Sequence, residues 1–149
     1  MSDSKNSEQT KGNIINLDFK GYCYPFHKNE LPQGSGIYCV YVYRTNTGKK
    51  PIIPHKLLYI GYTLNIMKEI ELHERNNDWQ ILLSPGEGIC YSYAPVEEKL
   101  LYTAGEAMVF RHKPPANNNT AKSCIKQRTI VFCNGITPFL YSLFEVGIT

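Results

Sequence analysis

The sequence predicts a single domain of mixed structure, in the α/β (α+β) class. A chain of 149 residues is long enough to bury one sizeable core. Runs of β-branched and aromatic residues, which are typical of buried strands, alternate with stretches whose apolar residues recur every three or four positions, which are typical of amphipathic helices. The hydrophobic share of 42% and the charged share of 19% are ordinary for a globular protein.

The N-terminal part of the chain divides into two segments. Residues 1–13 are rich in Ser, Asn, Lys and Glu and have no apolar period, so we expect a disordered tail. Residues 14–35 contain several aromatic residues and end in Leu31-Pro32-Gln33-Gly34-Ser35, which predicts an ordered lead-in closed by a turn. The folded domain is therefore expected to span 14–149.

Four strands are predicted from apolar runs bounded by turn residues. The first covers about 36–44 and the second about 57–62, and an antiparallel hairpin with a long loop is the simplest connection between them. A third strand is predicted at about 88–94 and a fourth at about 129–132. The end of the chain, 137–148, is apolar enough to pack back on the domain as a helix or a strand.

Two helices are predicted between these strands. Thr63 is placed to cap a helix over about 64–76, in which Ile66 and Ile70 lie one turn apart on the apolar face. A second helix is predicted over about 96–112, and two consecutive prolines stop it. The alternation of strands and helices supports a sheet that packs against helices.

The charge distribution bears on the choice of partner. The formal net charge is only +3, which does not suggest a strongly basic polymer binder. No acidic residue occurs from Ala107 to Phe144, and a stretch of one sign can face a phosphate backbone, although a solvated loop explains it equally well. The candidate nucleic-acid-binding residues in this stretch are Arg111, Lys113, Lys122, Lys126 and Arg128.

The cysteines and the apolar runs bear on the compartment. The five cysteines form no C-x-x-C pair and have no metal-ligand spacing to histidine. An odd number without a signal peptide predicts reduced thiols in a cytoplasmic protein. No apolar run approaches the length of a membrane span, so we expect no membrane partner.

Two tripeptides, Gly36-Ile37-Tyr38 and Tyr59-Ile60-Gly61, lie in the first two predicted strands. If these strands pair, the hydroxyls of Tyr38 and Tyr59 can face one cleft. A phenol with a pKa near 10 is a poor base unless a cation or a metal-bound water stabilises its anion, but it can still orient a water molecule. The plain alternative is that both tyrosines only pack on the sheet.

Two further side chains could carry chemistry. Glu106 follows Gly105 inside the second helix, where glycine is costly unless something approaches the backbone closely. A carboxylate facing a cleft is a natural ligand for Mg²⁺, whereas a solvent-facing glutamate is the plain alternative. His73 borders the apolar face of the first helix, where a histidine is more often structural than catalytic.

The two tripeptides are followed in order by a helix over 65–74, by Gly105-Glu106-Ala107-Met108 and by the segment 112–117. In this order of motifs the chain resembles the GIY-YIG nuclease family over roughly 34–118. The resemblance implies a small antiparallel central sheet flanked by helices, here with N- and C-terminal extensions. It also implies hydrolysis of phosphodiester bonds in nucleic acid, usually DNA, that depends on Mg²⁺ or Mn²⁺.

The resemblance also implies a role for each matching residue. Tyr38 would position or deprotonate the attacking water, and Tyr59 would support that network. His73 would assist proton transfer, and Glu106 would hold the metal ion. Asn117 would form hydrogen bonds that brace the site.

Glu69 departs from the family pattern, because most members have an arginine at this position. That arginine faces the scissile phosphate, where a fixed cation stabilises the developing charge. A comparable arginine in phosphoryl transfer is worth about 10³–10⁵ in rate. A carboxylate here would repel the phosphate and could pair with His73 one turn later.

Three explanations for Glu69 remain open at this stage. The chain could be a natural, weakly catalytic member that binds nucleic acid, or an altered version of an active enzyme. Alternatively, Glu69 could join Glu106 as a second metal ligand. A further departure is the long connection over 39–58, which we interpret as a tolerated surface insertion.

The leading functional hypothesis is a Mg²⁺-dependent DNA endonuclease of the GIY-YIG type whose activity is impaired by Glu69. One alternative is a nucleic-acid-binding module that does not cleave. The other is an interaction domain that reuses the fold and does neither.

Overall fold

The computed structural model describes residues 12–45, 53–117, 125 and 127–147. Within these ranges, a sheet of six strands carries one α-helix on each face. The strands are β1 (Asn13–Cys23), β2 (Gly36–Arg44), β3 (Pro54–Thr63), β4 (Glu87–Pro95), β5 (Thr129–Gly135) and β6 (Leu143–Val146). The helices are α1 (Ile66–Arg75) and α2 (Glu98–His112), with short 3₁₀ helices at Pro25–Glu30 and Gln80–Leu82.

The sheet is mixed, which corrects the expectation of a small antiparallel sheet. Its strand order is β3-β2-β4-β1-β5-β6. β1 runs parallel to β5, whereas the other neighbouring strands are antiparallel. The difference arises because the predicted lead-in is itself a strand that inserts between β4 and β5.

β1 joins the two halves of the sheet. Its residues from Asn13 to Phe19 pair with β5, and its last residues, from Lys20 to Cys23, pair with β4. The strand therefore begins at the last residue of the predicted tail. Residues 1–11 of that tail lie outside the described residues.

The predicted hairpin of β2 and β3 is confirmed. The two strands pair antiparallel, with Tyr38 opposite Gly61 and Val40 opposite Tyr59. β2 also pairs with β4, and its residues from Gly36 to Val42 are buried on both faces. β3 forms an edge of the described sheet.

α1 lies on one face of the sheet and begins at a different cap from the one expected. The side chain of Asn65, rather than Thr63, accepts a hydrogen bond of 3.0 Å from the backbone N–H of Lys68. Ile66 and Ile70 are fully buried, as the sequence predicts. They pack with the residues of β2 and β4 that point to the α1 side.

α2 covers the opposite face. Its buried residues include Leu101, Ala104 and Met108, which pack with β1, β2 and β5. The last strand, β6, pairs with β5, so the apolar C-terminal stretch packs back as a strand. Among the described residues, no helix is long and apolar enough to cross a membrane.

Candidate functional site

The hydroxyl of Tyr38 donates a hydrogen bond of 2.6 Å to Oε2 of Glu69. Tyr38 lies on β2 and is completely buried, whereas Glu69 lies in the first turn of α1. The helix follows β3 directly and packs over the same face, which brings residue 69 above the hairpin. The position at which the resembling family has arginine therefore faces the first tyrosine.

Tyr59 belongs to a cluster of aromatic side chains on this face, the aromatic cluster, which consists of Tyr38, Tyr59, His73 and Trp79. Its ring centroid lies 6.1 Å from that of Tyr38, 5.6 Å from that of His73 and 5.6 Å from that of Trp79. The imidazole of His73 in turn lies 4.6 Å from the indole of Trp79. The structure thus brings together Tyr38, Tyr59, Glu69 and His73, four of the residues singled out from the sequence.

His73 lies between two carboxylates. Its Nδ1 is 2.8 Å from Oδ2 of Asp78, and its Nε2 is 3.9 Å from Oε2 of Glu69. α1 ends in a Schellman motif, in which Asn77 has the left-handed conformation (φ 59) and the N–H of Asp78 donates to the carbonyl of His73 at 3.0 Å. This turn carries the Asp78 side chain back to the imidazole.

The surroundings of the two phenols keep them protonated. Burial raises the pKa of Tyr38 far above that of a free phenol, and the charge of Glu69 raises it further. Burial and the same carboxylate also raise the pKa of Tyr59. As the site stands, both phenols keep their protons, and a role as a base requires a cation that lowers these pKa values.

Asn117 is attached to the second tripeptide through the backbone. Its Oδ1 accepts from the N–H of Ile60 at 2.9 Å, and its Nδ2 donates to the carbonyl of Ile60 at 2.8 Å. The neighbouring Ala116 N–H donates to the carbonyl of Leu58 at 3.0 Å. The residues after α2 thus pair with the outer edge of β3 and hold it in place.

Glu106 contacts a residue that the sequence did not single out. Its carboxylate accepts a hydrogen bond from the hydroxyl of Tyr62, and burial, together with this bond, raises the pKa of Tyr62. A Cβ at Gly105 would overlap the ring of Tyr62, which supplies the close approach that a glycine inside a helix suggests. The glycine therefore allows Tyr62 to lie flat against α2.

Glu106 and the tyrosine pair are on different faces of β3. Residues alternate along a strand, so Tyr59 and Gly61 point toward α1 whereas Tyr62 packs with the core under α2. β3 is an edge strand of the described sheet, and Ala116 and Asn117 form hydrogen bonds with its outer edge. Glu106, the candidate metal ligand, is therefore on the opposite face of β3 from Tyr38 and Tyr59.

The donor set at Glu106 fits Mg²⁺ only as a single-carboxylate site. Within the described ranges there is no group of three or more His, Cys, Asp or Glu residues placed to hold a metal ion. Mg²⁺ commonly uses one or two carboxylates together with substrate phosphates and keeps several waters. A half-buried glutamate beside a phenol meets that lower requirement.

A cleft of about 490 Å³ opens beside the aromatic cluster. Its walls include Tyr59, His73 and Trp79, with Asp78 as the charged residue. Leu82, Pro115 and Ala116 supply its other side. Tyr38 and Glu69 lie next to this cleft through their contacts with Tyr59 and His73.

The basic residues expected to contact nucleic acid have different surroundings. The guanidinium of Arg111 lies 4.2 Å from the ring centre of Tyr141, and Nζ of Lys113 donates to the carbonyl of Phe110 at 2.8 Å. Arg128 forms an ion pair with Glu145, the first acidic residue after the basic stretch. Lys122 and Lys126 lie outside the described residues.

Sequence reasoning missed Tyr62, Asp78 and Trp79. The two asparagines after α1 signal a left-handed helix end, and such an end would have suggested that Asp78 folds back toward His73. Gly105 gave the signal for a close neighbour but not its identity. The contact of Trp79 with both tyrosines had no signal in the local pattern.

Comparison with models of protein families, with curated proteins and with solved structures found no match to this chain. The resemblance noted from the sequence therefore rests on the order of its motifs alone.

Proposed function

We propose that the protein is a GIY-YIG-type scaffold for Mg²⁺-dependent hydrolysis of phosphodiester bonds in DNA, in which Glu69 suppresses cleavage. The observation that carries the proposal is the position of residue 69. Its carboxylate lies 2.6 Å from the Tyr38 hydroxyl, beside Tyr59 and His73. An arginine at this position would present its charge to the same group of side chains.

Charge decides what the site can do in its present form. A phosphodiester that enters the cleft beside Tyr59 meets Glu69 and Asp78 rather than a fixed cation, so Coulomb repulsion opposes binding. Burial, together with the carboxylate of Glu69, keeps Tyr38 protonated, which removes it as a base. An arginine at position 69 would turn the repulsion of the phosphodiester into attraction and would remove the carboxylate's contribution to the raised pKa of Tyr38.

The remaining residues would keep their roles in the active form. Tyr38 and Tyr59 would orient the attacking water through their hydroxyls, and His73, held by Asp78, would accept or return a proton at Nε2. Glu106 would hold Mg²⁺, which when bound neutralises phosphate charge and lowers the pKa of a coordinated water. Asn117 would fix the edge of β3 between these groups.

The decisive experiment measures nicking of supercoiled plasmid in Mg²⁺ and in Mn²⁺. We expect little or no nicking by the native chain and a rise of several orders of magnitude for Glu69→Arg, since an arginine in phosphoryl transfer is worth about 10³–10⁵. Glu69→Gln is the matched control, because it removes the negative charge without adding a cation. It should give at most a small part of that rise.

A second pair of variants links the gain to the metal candidate. Glu69→Arg combined with Glu106→Ala should lose the gained activity, whereas Glu69→Arg combined with Glu98→Gln should keep it, since Glu98 is an exposed residue at the start of α2. Circular dichroism should show native folding for each protein. The proposal fails if folded Glu69→Arg cleaves no faster than the native chain with either metal.

Binding without cleavage is the second candidate, and the stretch without acidic residues from Ala107 to Phe144 is the observation that favours it. This candidate predicts salt-dependent retardation of DNA on gels and no cleavage by Glu69→Arg. Since Arg128 is already paired with Glu145, Arg111→Ala and Lys113→Ala should weaken such binding more than Arg128→Ala does.

A further inference from the structure

The cleft beside the aromatic cluster is negatively charged. Asp78 and His73 line the cleft. Oε2 of Glu69 lies 3.9 Å from Nε2 of His73. Among the described residues that line the cleft there is no lysine or arginine. Two carboxylates and one histidine leave a net negative charge whether or not His73 is protonated.

The walls of the cleft suit a flat, weakly hydrated group. The rings of Tyr59, His73 and Trp79 line it together, and aromatic faces attract cations that lie over them. A guanidinium is planar, is always charged, stacks on aromatic rings and forms paired hydrogen bonds with a carboxylate. Leu82 and Pro115 provide apolar surface for an attached alkyl chain.

The volume is also adequate. Small-molecule sites commonly measure about 300–1,000 Å³, and this cleft, at about 490 Å³, falls within that range. We propose that the cleft binds a guanidinium group, carried either by an arginine side chain or by a small arginine-like compound. The proposed contacts are the carboxylate of Asp78, the ring of Tyr59 and the electrostatic field of Glu69.

The site adjoins the proposed nuclease centre, but the inference needs no catalytic activity. Binding is measured without nucleic acid and without metal, so failure of one proposal leaves the other intact. A bound guanidinium would place a positive charge near Glu69, in the region where the resembling family has its own arginine. The ligand would thus supply a fixed positive charge that none of the described residues lining the cleft provides.

Trp79 provides a direct readout, because it is the one tryptophan of the sequence. Titration with methylguanidinium at millimolar concentration, far below denaturing levels, should give a saturable change in its fluorescence. Methylurea is the matched ligand control, since it has nearly the same shape and no charge. We expect its affinity to be lower by about tenfold or more, the loss expected when a hydrogen bond to a charged group is weakened.

Variants test the two carboxylates. Asp78→Asn and Glu69→Gln keep the side-chain shape, and each should lower the affinity for methylguanidinium by about tenfold. Glu98→Gln, on α2, should leave this affinity unchanged. Agmatine and a capped Gly-Arg-Gly peptide distinguish the two sources of the group, and binding of either supports the proposal. Circular dichroism excludes loss of folding as the cause of weaker binding.

Several outcomes would overturn the inference. Equal binding of methylurea and methylguanidinium would mean that charge plays no part. Unchanged affinity in both Asp78→Asn and Glu69→Gln would place the ligand elsewhere. Tighter binding of deoxycytidine or its monophosphate than of methylguanidinium would assign the cleft to a nucleobase or a phosphate instead.

Discussion

The ring of Tyr38 occupies the space in which a Cβ on Gly61 would lie. The two residues are directly opposite each other in the β2–β3 pair, so the tyrosine of the first tripeptide crosses over the glycine of the second. This contact explains why the two tripeptides belong together. The glycine leaves room for the ring, and the ring directs its hydroxyl to Glu69.

Gly61→Ala should therefore destabilise the protein. Tyr38 is fully buried and cannot swing into solvent, so the added methyl group overpacks the core at a cost of about 1–3 kcal/mol. The measurement is the free energy of unfolding in urea. Gly34→Ala is the matched control, because a Cβ there would have no atom within 4 Å, and equal losses in the two variants would contradict the explanation.

Asn117→Ala should loosen the outer edge of β3. The change removes both hydrogen bonds to the backbone of Ile60, and two such bonds contribute about 1–3 kcal/mol together. Amide hydrogen exchange at Ile60 should become faster by a corresponding factor. Asn16→Ala, at an exposed position of β1, should alter neither quantity, and protection of Ile60 that survives Asn117→Ala would show that the edge is held in another way.

His112 should make the stability of the fold depend on pH. Its Nδ1 lies 2.8 Å from the carbonyl of Met108, to which it donates, and its Nε2 accepts from the N–H of Tyr141 at 3.0 Å, so the imidazole is neutral in the fold. Burial, and to a lesser extent the charge of Arg111, lowers the pKa of His112 below its usual value. Tyr141 and Phe144 also pack on the ring, and neither introduces a charge that would favour protonation.

The direction of the effect follows from proton linkage. The unfolded chain takes up a proton near pH 6.5, whereas the folded chain does so only at lower pH, so the stabilising contribution is complete above about pH 6.5 and is lost as pH falls. Urea unfolding between about pH 7 and pH 5 should show this decline. His112→Leu should flatten this decline, and an unchanged slope in His112→Leu would assign the effect to other groups.

Local signals predicted the elements around the hairpin. β2 and β3 follow from β-branched and aromatic runs with turn residues between them, and α1 follows from the spacing of Ile66 and Ile70. The choice of Asn65 rather than Thr63 as the cap lay within the usual uncertainty of helix boundaries. These features depend on residues close together in the chain, which is why the sequence suffices for them.

Long-range pairing was not predictable in the same way. No local pattern states that β1 lies parallel to β5, because partners such as Ile15 and Val131 are distant in the sequence. The contacts of the candidate site differ in the same way. The contact of Tyr38 with Glu69 could be expected once both motifs were aligned on a hairpin and its following helix, whereas the pairing of Glu106 with Tyr62 depends on how α2 packs against β3.

The central position of β1 has a consequence for folding. Because its first half pairs with β5 and its last residues pair with β4, it cannot be completed until segments far along the chain have formed. Such a topology raises contact order, and closing long loops before their contacts form slows folding. A fragment limited to residues 34–118 would expose an open edge on β4 and lose the strand that connects it to β5 and β6, so we expect the motif-bearing segment alone to be less stable and more prone to associate than the full chain.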